Sequence, residues 1–216
     1  MKKNYNTYIF DCDGVVLNSN KVKTQAFYEA AKHFGHESAQ ALVDYHVENG
    51  GVSRYLKFEY FLTDVLQTAL DQSVLDDLLI RFSQSVKRGL MDCDVADGLE
   101  EMRLKTPQAN WLIVSGGDQD ELRDVFALRG LVKYFDGGIF GSPDDKDKIL
   151  AREKASQNIG GNALFVGDSK YDYLAASKAG LDFVFLSDWT EVKDWQNWVN
   201  ENNLKSYRNL KSLASL

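Results

Sequence analysis

Apolar and polar positions along this chain predict short buried strands separated by helices. Residues Thr7 to Phe10 form an apolar, β-forming run that stops at a polar turn. Similar runs recur in the second half of the chain, each followed by apolar residues at helical spacing. These later strands are predicted at 111–114, 138–140, 163–166 and 183–186. Strands that alternate with helices indicate a parallel sheet with helices on both faces.

The stretch from about residue 20 to residue 90 follows a different pattern. Its apolar residues recur at helical spacing, and it contains no strand-like run. We therefore predict a three-layer, Rossmann-like α/β core formed by residues 1–17 and 93–216. An all-helical cap domain, residues 18–92, is inserted into this core after the first strand.

Composition and charge narrow the expected partners. The chain has 25 Lys+Arg and 32 Asp+Glu residues, a formal net charge of -7, and no dense basic tract. We expect no general attraction for nucleic acid or for an anionic membrane. No apolar run approaches the roughly 18 residues that span a bilayer, and the N-terminal run is too short for a signal-peptide core. We expect a cytoplasmic protein; its oligomeric state is left open, and a monomer is plausible.

Polar residues with chemical potential gather where four of the predicted strands end. They are Asp11 and Asp13 after the first strand, Ser115, Gly116 and Gly117 after the second, Lys146 after the third, and Asp168 and Asp172 after the fourth. Ligands of open parallel sheets bind outside the carboxyl ends of the strands. We therefore expect these side chains to meet at one edge of the sheet.

The residue types in this set favour phosphoryl transfer. Neighbouring carboxylates repel one another and need a cation, and oxygen ligands without His or Cys suit Mg²⁺. The Ser115 hydroxyl and the amides of Gly116 and Gly117 would bind an anion, and Lys146 would neutralise phosphate charge. A remaining carboxylate can attack phosphorus. Each residue alone also has an ordinary structural explanation, such as a turn or a helix cap.

The same residues form four motifs that resemble those of the haloacid dehalogenase-like hydrolase superfamily. The motifs are Phe10-Asp11-Cys12-Asp13-Gly14-Val15, Val114-Ser115-Gly116-Gly117, Lys146 within Ser-Pro-x-x-Lys, and Gly167-Asp168-Ser169-Lys170-Tyr171-Asp172. Lys148 lies two residues from Lys146, but the spacing favours Lys146. The helical insertion resembles the cap found after the first motif in a subgroup that includes phosphoglycolate phosphatases and β-phosphoglucomutases.

This resemblance implies a role for each motif residue. Asp11 is expected to be the nucleophile and a Mg²⁺ ligand. Asp13 is expected to be the general acid and then the base, and to lend its backbone carbonyl to the metal. The remaining expectations are that Ser115 and Gly116 hold the phosphoryl group, Lys146 bridges Asp11 and phosphate, Asp168 ligates the metal, and Asp172 lies in or beside the metal shell.

Asp13 and the cap refine the expected reaction. Dehalogenases of the superfamily lack the second acid of the first motif, so Asp13 favours a phosphatase. Gly51-Val52-Ser53-Arg54 resembles the specificity loop of β-phosphoglucomutases, which makes Arg54 a candidate anion anchor; a solvated or salt-bridged helix residue is the alternative. Lys23 stands where those mutases carry a His, and is a candidate second cationic contact.

The leading hypothesis is a Mg²⁺-dependent phosphatase that acts on a small phosphorylated metabolite, such as a sugar phosphate or a phosphoglycolate-like acid. Two alternatives stay open at this point: a sugar-phosphate mutase, and a catalytically idle binding module on the same fold. The histidines at positions 33, 36 and 46 are expected to be surface or packed cap residues without chemistry.

Overall fold

The computed structural model of this protein describes residues 4–214 and contains a parallel β-sheet. Its strands are β1 (Thr7–Phe10), β2 (Asn110–Asp118), β3 (Gly138–Ser142), β4 (Ala163–Gly167), β5 (Asp182–Leu186) and β6 (Lys205–Tyr207). They follow the order β3-β2-β1-β4-β5-β6, and each neighbouring pair is parallel. The strand order reverses at β1, so a crevice for ligands is expected at the carboxyl ends of β1 and its neighbours.

The α-helices divide between an insertion and the two faces of the sheet. They are α1 (Asn20–Ala31), α2 (His36–Glu48), α3 (Arg54–Tyr60), α4 (Gln72–Asp92), α5 (Leu99–Lys105), α6 (Gln119–Leu128), α7 (Lys146–Ala155), α8 (Lys170–Lys178), α9 (Trp195–Glu201) and α10 (Leu210–Ala214). Helices α1 to α4 all lie between β1 and β2, and we refer to them as the cap. No helix in residues 4–214 has both the length and the apolar character needed to cross a bilayer.

Side chains alternate between the two faces of the sheet, as the strand periodicity requires. Ile9 of β1 packs with Ile149 of α7 and Ala175 of α8 in one apolar cluster. The next residue, Phe10, packs on the opposite face in a cluster that includes Phe126 of α6 and Leu210 of α10. Each face of the sheet is thus covered by helices, which confirms the predicted three-layer α/β fold.

Aromatic side chains hold the cap together. The ring of Phe27 in α1 lies with its centroid 5.2 Å from that of Phe58 in α3 and 4.3 Å from that of Phe82 in α4. All three rings are buried, and they belong to the same cluster as Phe10 of the sheet. The cap therefore shares its apolar core with one face of the sheet.

The connections between cap and sheet run side by side. The backbone N–H of Asn18 donates to the carbonyl of Asp94 at 2.9 Å, and Leu17 forms a bridge with Val95. These contacts tie the chain where it leaves β1 to the chain where it returns from α4. The proposed division at residues 18 and 92 falls at this crossing and stays a prediction.

Two of the differences between the structure and the predicted elements concern strands β2 and β6. Strand β2 continues past Val114 through the Ser-Gly-Gly segment to Asp118, with an irregular register against β3 in that part. Strand β6 was not predicted, because it has three residues and two of them are exposed. A strand that short carries too little periodicity to be recognised, and its pairing with β5 depends on the fold.

Removing the Phe82 ring should destabilise the protein strongly, because the surrounding rings cannot close the cavity completely. We expect Phe82→Ala to lower the free energy of unfolding by about 3–5 kcal/mol. The matched control is Ile80→Ala on the same helix, where the side chain is 56% exposed and a change within about 0.5 kcal/mol is expected. Urea unfolding followed by circular dichroism compares the two variants, and equal losses would contradict this account of the cap core.

Candidate active site

Lys146 and Asp11 form the centre of the site. Asp11 follows β1 directly, and Lys146 is the first residue of α7, just beyond β3. Lys146 Nζ lies 3.0 Å from Asp11 Oδ1 and also contacts Asp172 Oδ1. All three side chains are buried. The structure therefore brings together residues from the first, third and fourth motifs.

The start of α7 decides which lysine enters the site. Asp145 caps this helix by accepting a hydrogen bond from the Lys148 backbone N–H at 2.8 Å. Lys146 therefore begins the helix and projects into the site. The Lys148 side chain is 70% exposed and lies 3.7 Å from Asp145. The geometry thus agrees with the choice of Lys146 over Lys148.

Asp172 is positioned by the N-terminus of α8. Its Oδ2 accepts hydrogen bonds from the backbone N–H groups of Asp168 (3.2 Å) and Ser169 (3.1 Å), and from Ser169 Oγ (2.7 Å). Ser169 in turn accepts from the Asp172 N–H, which completes a capping box. The hydrogen bonds leave Oδ1 of Asp172 to face Lys146. A Cβ at position 167 would lie 2.5 Å from Asp172 Cβ, so the glycine before Asp168 keeps this approach open.

The Asp168 carboxylate contacts residues near the start of the cap. Asn20 Nδ2 donates to Asp168 Oδ2 at 2.8 Å, and also to the carbonyl of Trp189. Gly14 passes the same oxygen with φ +74°, and a Cβ there would lie 2.0 Å from Asp168 Oδ2. Only glycine fits this combination of positive φ and close approach. Sequence reasoning missed Asn20, whose contact with Asp168 joins α1 to the end of β4.

The carboxylates of this edge fit a divalent cation. Asp11, Asp168 and Asp172 each offer one oxygen, and these oxygens all lie within 4.8 Å of one another. Burial, together with the nearby carboxylates, raises the pKa of Asp11 to about 7 and raises that of Asp168 well above its usual range. Buried carboxylates that repel one another are stabilised by a cation, and an all-oxygen donor set suits a hard divalent ion. The predicted ligands are therefore chemically suitable for a metal.

Asp13 points away from this group and toward the cap. Its carboxylate accepts hydrogen bonds from Lys23 Nζ and Ser19 Oγ, both at 2.5 Å. Burial alone would raise the pKa of Asp13, but the Lys23 ammonium and these hydrogen bonds outweigh it and lower that pKa. Lys23, predicted to contact substrate, thus lies at the site but is paired with Asp13. Its contact with substrate stays a prediction.

The Ser115 segment packs against the loop that joins α2 to α3, which we call the cap loop. Ser115 is fully buried, and its Oγ accepts a hydrogen bond from the Gly117 N–H at 3.0 Å. One of the two amides predicted to bind an anion is thus directed at the Ser115 hydroxyl. A Cβ on Gly116 would lie 2.2 Å from the Gly51 carbonyl oxygen. The absence of a side chain at Gly116 therefore allows the cap loop to approach the core.

A narrow cavity of about 50 Å³ lies between the cap and the edge of the sheet that carries the site carboxylates. This volume has room for only a few water molecules, so the cap lies closed over the site. The core contributes Asp11, Asp13 and Asp168 to its lining, and the cap contributes Arg54. Arg54 forms a bidentate pair with Glu121 of α6, both contacts at 2.9 Å, and also donates to Ser83 Oγ. This geometry matches the alternative that Arg54 is a salt-bridged helix residue. The role of Arg54 as an anion anchor stays a prediction.

Sequence reasoning also missed Lys57, and it expected His46 to be a cap residue without chemistry. Both residues line the same cavity. Lys57 Nζ lies 2.7 Å from His46 Nδ1, and both side chains are buried. The sequence held one signal for Lys57. It stands three residues after Arg54 and four before Phe61, on the apolar face of its helix, where a lysine is unusual.

The metal should stabilise the protein more at alkaline than at acidic pH. Without a cation, the pKa of Asp11 is about 7 in the folded state, against 3.8 for an ordinary aspartate. Between these two pH values the folded state holds a proton that the unfolded state has lost. This stabilising contribution is present below about pH 4 and is lost as pH rises through about 7. A divalent cation bound by these carboxylates would compete with that proton, so we expect MgCl₂ to raise Tm more at about pH 8 than at about pH 5.

Thermal unfolding with and without MgCl₂ at the two pH values measures this difference. Asp168→Asn should reduce the Mg²⁺-dependent rise in Tm at the higher pH. The exposed residue Asp120 provides the control Asp120→Asn, which should keep it. An equal rise at both pH values would show that Mg²⁺ does not bind at these carboxylates.

Comparisons of sequence and of structure identify known proteins that are similar to this chain. The profile of the haloacid dehalogenase-like hydrolase family matches residues 5–180. A protein of Caldanaerobacter subterraneus subsp. tengcongensis, provisionally named the pyrophosphatase PpaX, is 27% identical over 184 residues, which cover 80% of this chain and 77% of that protein.

Solved structures extend the similarity over nearly the whole chain. A hydrolase from Pseudomonas syringae aligns with a TM-score of 0.73 and 20% identity, covering 97% of this chain and 96% of that chain. A protein described as a predicted phosphoglycolate phosphatase from Haemophilus somnus aligns with a TM-score of 0.74 and 15% identity, covering 100% and 99% of the two chains. At these identities the structures establish the shared fold. The family profile, which spans most of the chain, shows that this protein belongs to the haloacid dehalogenase-like hydrolases.

Proposed function

We propose that this protein is a Mg²⁺-dependent phosphatase that hydrolyses a small phosphomonoester through an aspartyl-phosphate on Asp11. One observation carries the proposal. The buried Asp11 carboxylate, held by Lys146 at 3.0 Å, lies beside Asp168 at the wall of the narrow cavity between sheet and cap. A carboxylate in such a place is fixed in orientation and shielded from water, as a nucleophile for phosphorus requires.

In the first half of the reaction, an Asp11 oxygen attacks phosphorus and the bond from phosphorus to the leaving oxygen breaks. The electron pair of that bond stays on the leaving oxygen, which takes a proton from Asp13. Lys23 lowers the pKa of Asp13 in the structure described here. Asp13 must therefore regain a proton when substrate binds, before it can act as the general acid.

In the second half, water attacks phosphorus while Asp13, now ionised, accepts the proton of that water. The bond between phosphorus and Asp11 breaks, which releases phosphate and restores the carboxylate. Lys146 and the Ser115 hydroxyl hold the transferring group throughout. The ligands of Mg²⁺ would be Asp11, Asp168 and the backbone carbonyl of Asp13, with Asp172 either a direct ligand or beside the ligand shell. The bound metal would supply positive charge to the phosphoryl oxygens.

The cavity and the relatives support a small substrate with phosphate chemistry. A volume of about 50 Å³ excludes large ligands from the closed state, and a sugar phosphate or a phosphoglycolate-like acid would enter while the cap is open. One structural relative is described as a phosphoglycolate phosphatase and the sequence relative as a pyrophosphatase. A mutase is less favoured, because Lys23 replaces the His of β-phosphoglucomutases and is paired with Asp13 as an ammonium. An idle module has no need for the complete buried set of charged residues.

Loss of the Asp11 carboxylate should abolish turnover, because an amide cannot attack phosphorus. We expect Asp11→Asn to lower kcat for p-nitrophenyl phosphate by at least ~1,000-fold, and EDTA to have a comparable effect that added Mg²⁺ reverses. Colorimetric phosphate release measures both. The exposed Asp120, changed to Asn, is the control with the same chemical substitution and should keep full activity. Normal turnover by Asp11→Asn would rule out this mechanism.

Blocking the approach between cap and core should impair catalysis more than folding. In Gly116→Ala the added methyl group meets the Gly51 carbonyl oxygen, with the Cβ 2.2 Å away, so the cap cannot close to the same position. We expect kcat/KM to fall roughly 100-fold with little change in Tm. The control is Gly160→Ala, where the nearest atom is 3.6 Å from the added Cβ. Unchanged kcat/KM in Gly116→Ala would show that closure is unnecessary.

A further inference from the structure

Three cationic side chains of the cap line the cavity, and two of them are already neutralised. Lys23 is paired with Asp13, and Arg54 is paired with Glu121. Lys57 forms no ion pair with a carboxylate of residues 4–214. Lys57 therefore brings the cavity a cationic group without a carboxylate in direct contact among these residues, and Asp13 and Glu191 act on it only at longer range.

The surroundings of Lys57 make this charge costly in the free protein. The side chain is 1% exposed, and its Nζ lies 5.5 Å from the centroid of the Phe27 ring. Burial, with a smaller contribution from the nearby Lys23 ammonium, lowers the pKa of Lys57 to about 7. A buried cation is stabilised chiefly by a partner of opposite charge. A ligand anion would provide the partner that the chain lacks.

His46 provides a second, independent observation at the same place. When Lys57 is charged, as a bound anion would keep it, its ammonium can only donate. The 2.7 Å contact then makes His46 Nδ1 the acceptor and leaves the ring proton on Nε2. His46 Nε2 is buried and has no hydrogen-bond partner among the described residues. A buried donor without an acceptor is destabilising, and such groups in native proteins usually have a partner.

We propose that Lys57 and His46 form a second anion subsite, which binds a carboxylate or phosphate group on the leaving-group side of a small phosphomonoester. This inference rests on the proposed phosphatase function. It assigns substrate selection to Lys57 and His46, because Glu121 and Asp13 already balance Arg54 and Lys23.

Glu191 makes no ion pair with Lys57 in residues 4–214, so it does not substitute for a ligand. Glu191 also lines the cavity, and its two carboxylate oxygens lie 3.1 and 3.0 Å from Thr24 Oγ1. Because Glu191 is hydrogen-bonded to Thr24, the donors of Lys57 and His46 remain available to an incoming anion. A neutral substrate would leave both donors unsatisfied.

Phosphomonoesters with and without a second anionic group test the subsite. The assay compares kcat/KM for 2-phosphoglycolate, which carries a carboxylate, with that for the neutral 2-hydroxyethyl phosphate. A third substrate, 1,3-propanediol bisphosphate, tests phosphate as the second anion. We expect wild type to prefer an anionic substrate by at least about tenfold, and Lys57→Met to reduce this preference by about tenfold. His46→Phe should change the preference in the same direction, and Lys57→Arg should retain part of it.

The exposed Lys87 on α4 provides a control with the same loss of charge. Lys87→Met should keep the wild-type kcat/KM for all three substrates. We also expect Lys57→Met to raise Tm, because it removes a buried cation without a carboxylate partner. A lower Tm together with an unchanged substrate preference would overturn the proposal and assign Lys57 a structural role. If Lys57→Met does not fold, an unchanged preference in His46→Phe overturns it equally.

Binding separates failure of the subsite from failure of the proposed function. Isothermal titration calorimetry of Asp11→Asn with 2-phosphoglycolate and 2-hydroxyethyl phosphate, in MgCl₂, measures affinity without turnover. Tighter binding of 2-phosphoglycolate that is lost in Asp11→Asn/Lys57→Met supports the subsite even if wild type hydrolyses neither compound. Equal affinities for the two ligands would refute it even if wild type is an active phosphatase.

Discussion

The buried ammonium of Lys146 is the interaction on which the rest of the site depends. It lies between Asp11 and Asp172, and all three side chains are shielded from water. Burial alone would lower the pKa of Lys146, yet the two carboxylates raise it, so the ammonium stays charged. Without this cation, two buried carboxylates would face each other uncompensated, which is strongly destabilising. One lysine therefore joins the end of β1 to the starts of α7 and α8.

The site divides its charges between two structural layers. The sheet edge supplies the carboxylates of Asp11 and Asp168, whose repulsion suits a divalent cation. The cap supplies cations, of which Lys23 and Arg54 are balanced by acidic residues of the sheet domain. A phosphomonoester bound between these layers would meet metal charge on one side and lysine charge on the other. Such an arrangement strengthens electrostatic interactions, because the closed cavity holds little water.

Contacts between cap helix α3 and the N-terminus of α6 define the closed position. Arg54 binds Glu121 through two hydrogen bonds, and the Tyr55 hydroxyl donates to Asp118 at 2.9 Å. Asp118 also caps α6 by accepting from the Glu121 backbone N–H. These polar contacts can exchange with water when the cap opens, whereas the aromatic core of the cap cannot. Opening is therefore expected as a movement of the cap as a unit.

The sequence by itself determined the layered fold and the positions of the motif residues. Asp11 and Asp168 directly follow their strands, so the local pattern of each strand is enough to place them at the sheet edge. The tertiary structure alone decided how the cap meets that edge. The contact between His46 and Lys57 joins α2 to α3, and that between Arg54 and Glu121 joins the cap to α6. These pairs depend on how helices distant in sequence rotate and pack, which periodicity within one helix does not specify.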